Sequence, residues 1–414
     1  MASSVADSAR LRLSDIATAV FVCVSTVIKR VPAQEDGARV GKAAKTTAKD
    51  AKKSPSSSSS SPSSGWAVVQ TWGESDRRAG VTCMDVVPTT ATVLVGRRNG
   101  GMDVLRVDGT TGALRVASVL RPSRASGDTA KDESKSISSI HGIVLDGRLV
   151  VCGVEQGGRV AVYDEGLENV LGSFSCPPNV TCAAYHAPSK RLAVGCRGAE
   201  LKVYTVEINE VEDEKEKEEK EKEGRGVTGV LTYSAKGGKP DKVGLCDKPW
   251  NSAVAFYQGG DDEHAGSHLV VGTGHGKLRR YDTTVGKRPQ LNTPFKEHRI
   301  TALAVSETDK MWWVGDAGGS LQSYDVGAGK FMGSIKGIAG SVRSVDLHPT
   351  AGVIVSGGLD RYVRVHSTRT RASVAKLYVT SQVNVVRWLG DEERTAVVGS
   401  AEPARKNKRK SASS

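Results

Sequence analysis

The sequence predicts an all-β protein, a seven-bladed WD40-type β-propeller with a degenerate blade closed by both termini. Three observations predict it. A short apolar run ending in glycine recurs six times along the 414 residues. A tight turn and an alternating strand follow each copy, and the undisturbed spacing is that of one propeller blade. The copies are LVGRRNGGMDVLRVD, VCGVEQGGRVAVYD, AVGCRGAELKVYTV, VVGTGHGKLRRYD, WVGDAGGSLQSYD and VSGGLDRYVRVHS. Their glycines are Gly96, Gly153, Gly195, Gly272, Gly315 and Gly357, at steps of 57, 42, 77, 43 and 42 residues.

Residues 1–15 are read as an N-terminal extension and residues 16–390 as the propeller. The first blade in chain order is expected to be shared between the ends of the chain. Ala19 to Val24, Thr26 to Val31 and Trp66 to Trp72 are three strand-like runs, and Gln382 to Leu389 is a fourth. Joined, they would close the ring and remove exposed sheet edges. The competing reading of Ile16 to Val31 is an amphipathic or targeting helix, and its most apolar part is too short to span a bilayer. Residues 32–64 are Ala/Lys-rich and then Ser/Pro-rich, a composition unable to bury enough apolar surface to order itself. The two long steps between glycines coincide with insertions, a loop at 121–135 and a Glu/Lys run at 207–226.

The clearest blade starts near Lys336. Ser341 to Leu347 alternates apolar and polar residues, His348 to Gly352 is a turn, and Val353 to Val355 is apolar. Gly357-Gly358-Leu359-Asp360 turns again, Tyr362 to His366 alternates, and Lys376 to Thr380 is a fourth strand. Gly340 and Gly358 are read as turn glycines. Asp360 is read as a turn carboxylate that accepts backbone N–H groups.

Charge narrows the partners. The formal net charge is +12, yet Glu207 to Glu223 holds ten acids and four lysines, so the rest of the chain carries +18. A basic body of this kind favours polyanions such as RNA. Residues 391–414 form a basic tail, where Arg405, Lys406, Lys408, Arg409 and Lys410 read as a nuclear-localisation or RNA-binding patch. Arg343 begins an inner strand near one rim of the channel and is expected to contact a partner or phosphate. Arg361 joins it as a contact residue. Arg364 shares a strand face with Tyr362 and His366, where it either packs between blades or reaches a partner.

Enzymatic chemistry finds no support. The stretch from Gly272 to Lys277 lacks the spacing of a P-loop, the eight His residues show no metal-ligand spacing, and no GxSxG elbow occurs. Asp85 and Asp346 lie on inner strands without a shared motif. No catalytic residue, cofactor, metal, membrane association or small-molecule substrate is expected. The seven cysteines form no CxxC pair and read as reduced thiols.

Tyr163-Asp164, Tyr281-Asp282 and Tyr324-Asp325 resemble the Trp-Asp ends of WD repeats. KGIAGSVRSVDLHP, GGLDRYVRVH and KLYVTSQVN resemble the last blade and closing strand of the NOP-seven-associated protein one family. These are nucleolar assembly factors of the large ribosomal subunit. The resemblance covers roughly Val81 to Leu389. It implies a non-enzymatic scaffold in the nucleus and nucleolus that docks on pre-ribosomal particles and supports rRNA processing. Particle proteins and the ribosomal RNA precursor would be its partners, and an AAA-type ATPase would release it. The other reading is a generic WD-repeat adaptor, either a ubiquitin-ligase substrate receptor or a chromatin-associated module.

Overall fold

In the computed structural model the described residues are 19–23, 26–30, 66–71, 79–107, 114–121, 133–145, 148–208, 226–237, 247–259, 265–379 and 381–391. The terminal Lys/Arg patch, the Lys/Ser/Pro segment and most of the Glu/Lys run lie outside them. Six four-stranded antiparallel sheets, each made of consecutive strands, run from Val81–Val87 to Ser373–Tyr378. They are the blades of an all-β propeller, here numbered one to six along the chain.

Six blades are described with their side chains, where seven were expected. The strands assigned to the shared blade are described mainly by their backbone. Val386–Asp391 pairs with Ala19–Cys23, which pairs with Thr26–Arg30, which pairs with Trp66–Thr71. The C-terminal strand takes the inner place, next to the inner strands of blades six and one. It begins at Val386 rather than the expected Gln382; upstream of it, Val383 N–H donates to Gly358 O at 3.1 Å. The last strand of blade six runs over Ser373–Tyr378, earlier than the expected Lys376 to Thr380.

The apolar runs that end in glycine are the second strands of the blades. Both faces of such a strand pack against a neighbouring blade, so the run is continuous rather than alternating. Trp312 and Trp313 show the geometry. Adjacent in sequence and both 0% exposed, they point to opposite faces and enter the cores on either side of blade five. Similar apolar layers fill each interface. Val383, Val386 and Trp388 join the core of blade six, while Val385 and Leu389 join that of blade one.

Close approach explains the recurring glycine. A Cβ on Gly272 would lie 2.3 Å from Ile300 Cγ2, and one on Gly357 would lie 2.3 Å from Val383 Cγ1. In each case the intruding side chain belongs to the next element round the ring.

Hydroxyl groups tie successive inner strands together near one rim. Thr82 Oγ1 donates to Ile137 O at 2.5 Å, Ser138 Oγ to Val180 O at 3.0 Å, and Ser252 Oγ to Ile300 O at 2.6 Å. Thr181 and Thr301 make the same bond to Asn251 O and Val342 O. At the end of the chain Asn384 Nδ2 donates to Val81 O at 2.9 Å, joining residues 303 apart. Each such bond contributes about 1 kcal/mol.

Candidate functional site

The rim where the inner strands begin also carries the turns between second and third strands. Arg98 N donates to Gly80 O, Arg197 N to Asn179 O, Ala317 N to Arg299 O, and Leu359 N to Ser341 O. These bonds place Arg98, Arg197 and Arg299 on the same rim, in blades one, three and five. Arg343 occupies the position that carries Thr82, Ser138, Thr181, Ser252, Thr301 or Asn384 elsewhere. A guanidinium at this point leaves the hydroxyl pattern and reaches the channel mouth, where Arg343 is exposed.

Partial burial lowers the Arg343 pKa below the usual arginine value, and the like charges of Arg299 and Arg98 lower it further. Among the described residues none of Arg98, Arg197, Arg299 and Arg343 has an ion pair. The mouth opens onto a channel cavity of about 200 Å³ lined by inner-strand residues, among them Thr82, Ser252 and Thr301.

Trp250 organises part of this cluster. The Arg197 guanidinium stands 4.7 Å from the indole centroid and that of Arg299 stands 6.0 Å away. Gly274 lies against the ring so closely that a Cβ there would sit 2.0 Å from an indole carbon. His275 meets the ring edge-on at 5.8 Å and its Nε2 contacts Lys248 O at 3.0 Å. Asp247, just upstream, accepts from Lys277 Nζ at 2.5 Å, so the entering segment is held on both sides.

Deeper in the channel, the two inner-strand aspartates have backbone partners. Asp85 Oδ2 accepts Gly142 N, and Asp346 Oδ2 accepts Trp388 N, both at 2.9 Å. Burial pushes the Asp346 pKa up, although Arg387 opposes the shift. Each carboxylate caps the neighbouring strand at an equivalent place.

The sequence-predicted residues divide clearly. Arg343 stands at the mouth. Arg361 is exposed on the same rim, in a left-handed conformation at φ 64°, and its carbonyl accepts Val379 N beyond the outer strand. Arg364 is corrected: it is 4% exposed, pairs with Asp360 at 2.6 Å and lies over Tyr362 at 5.0 Å, so it packs within blade six instead of reaching a partner. Asp360 Oδ1 accepts Tyr362 N at 3.2 Å, as expected of a turn carboxylate. Gly340 has φ 81°, and a Cβ on Gly358 would lie 2.2 Å from Ser341 O. Arg405, Lys406, Lys408, Arg409 and Lys410 lie outside the described residues. Arg98, Arg197 and Arg299 went unrecognised in sequence. Superposing the six repeats at their glycines and first inner-strand residues is the signal that brings them together.

A family model described as "WD domain, G-beta repeat" matches residues 329–367. Human WD repeat-containing protein 74 is 32% identical over 160 residues, covering 38% of this chain and 40% of that protein. The chain therefore spans about two fifths of that relative's length. Ribosome biogenesis protein nsa1 of Schizosaccharomyces pombe is 23% identical over 340 residues, covering 77% of this chain and 79% of that protein. Ribosome biogenesis protein NSA1 of Candida glabrata is 27% identical over 256 residues, 55% of each chain. The chain is thus similar, over most of its length, to proteins named for ribosome biogenesis, and it carries a WD repeat. Within the family likeness, the longer alignments reach well beyond the final blade that the repeat model matches.

Proposed function

We propose that this protein is a non-enzymatic WD-repeat scaffold of ribosome biogenesis that docks on nuclear precursors of the large ribosomal subunit and supports rRNA processing. The observation that carries the reading is the channel-mouth arginine cluster, whose positive charge meets no carboxylate among the described residues. Uncompensated guanidiniums of this kind suit phosphate, which they bind in bidentate fashion. The names of the Schizosaccharomyces and Candida relatives support the process. A rim built from backbone turns is also a rigid platform, as a docking module requires. In this reading the sheet formed by the two termini is the seventh blade and closes the ring. The basic tail provides nuclear import or a second RNA contact, and an AAA-type ATPase releases the protein from the particle in the nucleolus.

The test is sedimentation of nuclear extracts containing the tagged protein, followed by identification of bound proteins and RNA. Wild type should travel with large-subunit precursors. Reversing charge at Arg343 and Arg361 together should shift most of it to the free fractions with little change in melting temperature. A wild-type pool that is free or bound to a ubiquitin ligase would sink the reading.

A further inference from the structure

Among the described residues, the indole that touches the mouth cluster is that of Trp250, half-buried and already occupied by guanidiniums. Proteins that read unpaired bases supply aromatic faces on which bases stack, and those that read only the backbone supply cations. Trp250 is the indole that the cluster touches, and Arg197, Arg299, Gly274 and His275 surround it at the distances given above. A base would have to displace a guanidinium to stack there. That exchange would sacrifice a phosphate contact for a stacking contact.

Arg98 and Arg197 sit where second strands turn into third strands, while Arg299 immediately precedes an inner strand and Arg343 begins one. Their spacing is therefore set by the ring rather than by flexible loops.

We propose that the arginine rim reads the sugar–phosphate backbone of RNA without base selectivity, and that it takes base-paired RNA as readily as single strands. Trp250 is a positioning residue in this arrangement, holding Arg197 and Arg299 at the mouth. The inference rests on the ribosome-assembly reading and deepens it by naming the class of RNA feature that the rim recognises.

The experiment uses the full chain and three labelled probes: a 20-nucleotide oligo-U, a 20-nucleotide oligo-A and a 20-base-pair RNA duplex, about the lengths a single module covers. Binding is followed by fluorescence anisotropy at stepped salt. Affinities for the three should agree within about threefold, and log K should fall with log salt by roughly 0.7 to 0.9 for each phosphate neutralised. Arg343→Ala should make that slope shallower by about 1, equally for every probe. Trp250→Leu should make it shallower by 1 to 2 while the ranking of probes and the melting temperature hold, and Trp250→Phe should restore most of it.

A preference of tenfold or more for one homopolymer would overturn the inference, as would a slope indifferent to Arg343→Ala. If no probe binds yet the charge-reversed protein still leaves the precursor particles, the rim meets an acidic protein; the inference then fails and the assembly reading survives. Wild-type protein that never joins the particles removes the assembly reading itself.

Discussion

Two neighbouring seams of the ring differ at one side chain. Between blades five and six, Thr301 donates to Val342 O and also lies 3.3 Å from Gly315 O, so the upper ends of the inner strands are joined. Between blade six and the closing strand, Arg343 stands at the equivalent point and turns to the mouth. The missing tie is made good lower down. Ser344 Oγ donates to Val386 O at 3.3 Å, Asp346 accepts Trp388 N, and the Trp388 indole N–H donates to Asp346 O at 3.3 Å. One seam is fastened at the rim and the other inside the channel. The ring can release a rim position without leaving the interface unsecured.

Substitution at Asp346 has the largest expected effect on either seam. Its carboxylate, half-buried in the channel, accepts Trp388 N–H of the C-terminal strand, 42 residues further along the chain. Asp346→Ala leaves Trp388 N–H without its acceptor and opens a small cavity, with an expected loss of about 2 to 3 kcal/mol. Urea titration would measure it. Asp346→Asn keeps an oxygen acceptor and removes a charge that burial disfavours, so it should stay within about 1 kcal/mol of wild type. The pH dependence separates the two effects. A carboxyl whose folded pKa is raised binds its proton more tightly in the folded state, so protonation favours folding and this advantage is lost as pH rises through the folded value. Wild type should therefore gain on Asp346→Asn as the solution is acidified.

Thr301→Val tests the other seam. Valine keeps the shape and removes the donor, leaving Val342 O short of a bond, at an expected cost of about 1 kcal/mol. A double variant with Asp346→Ala should be additive within about 0.5 kcal/mol if the seams are independent. A larger coupling would show that closure at one seam depends on the other.

The blades were legible because glycine, turn and alternation recur together. Gly272 and Gly357 mark where the next inner strand presses in, and no larger residue could serve there. The rim was only partly legible. Arg343 stood out by its place at the start of an inner strand, whereas Arg98 in Arg97-Arg98-Asn99-Gly100 looks like any solvated turn. Its role comes from Arg299 and Arg343, which are distant in sequence and brought near it by ring geometry. Strand parity correctly put Arg364 beside Tyr362, but parity cannot tell a face turned to a partner from one closed by Asp360. His366, on that same face, is likewise buried, and burial lowers its pKa to about 4, with Arg364 adding to the shift. The ties made by Thr82, Ser138 and Asn384 were visible as small polar residues following an apolar one. Their meaning needed the neighbouring carbonyls.

The smallest effect on stability comes from making the two seams alike. Arg343→Thr puts a hydroxyl where the other inner strands have one, and by the pattern of the other seams its acceptor is the carbonyl of Val383. The rim tie would then be present all round the ring. A new hydrogen bond of this kind contributes about 0.5 to 1 kcal/mol, and removal of a guanidinium crowded by Arg98 and Arg299 relieves some repulsion as well. The variant should unfold at slightly higher denaturant than wild type while its salt-dependent RNA binding weakens. Opposite signs in the two measurements are the expected outcome. If stability falls instead, Arg343 supports the interface directly, and its departure from the hydroxyl pattern is a structural substitution rather than one that serves a partner.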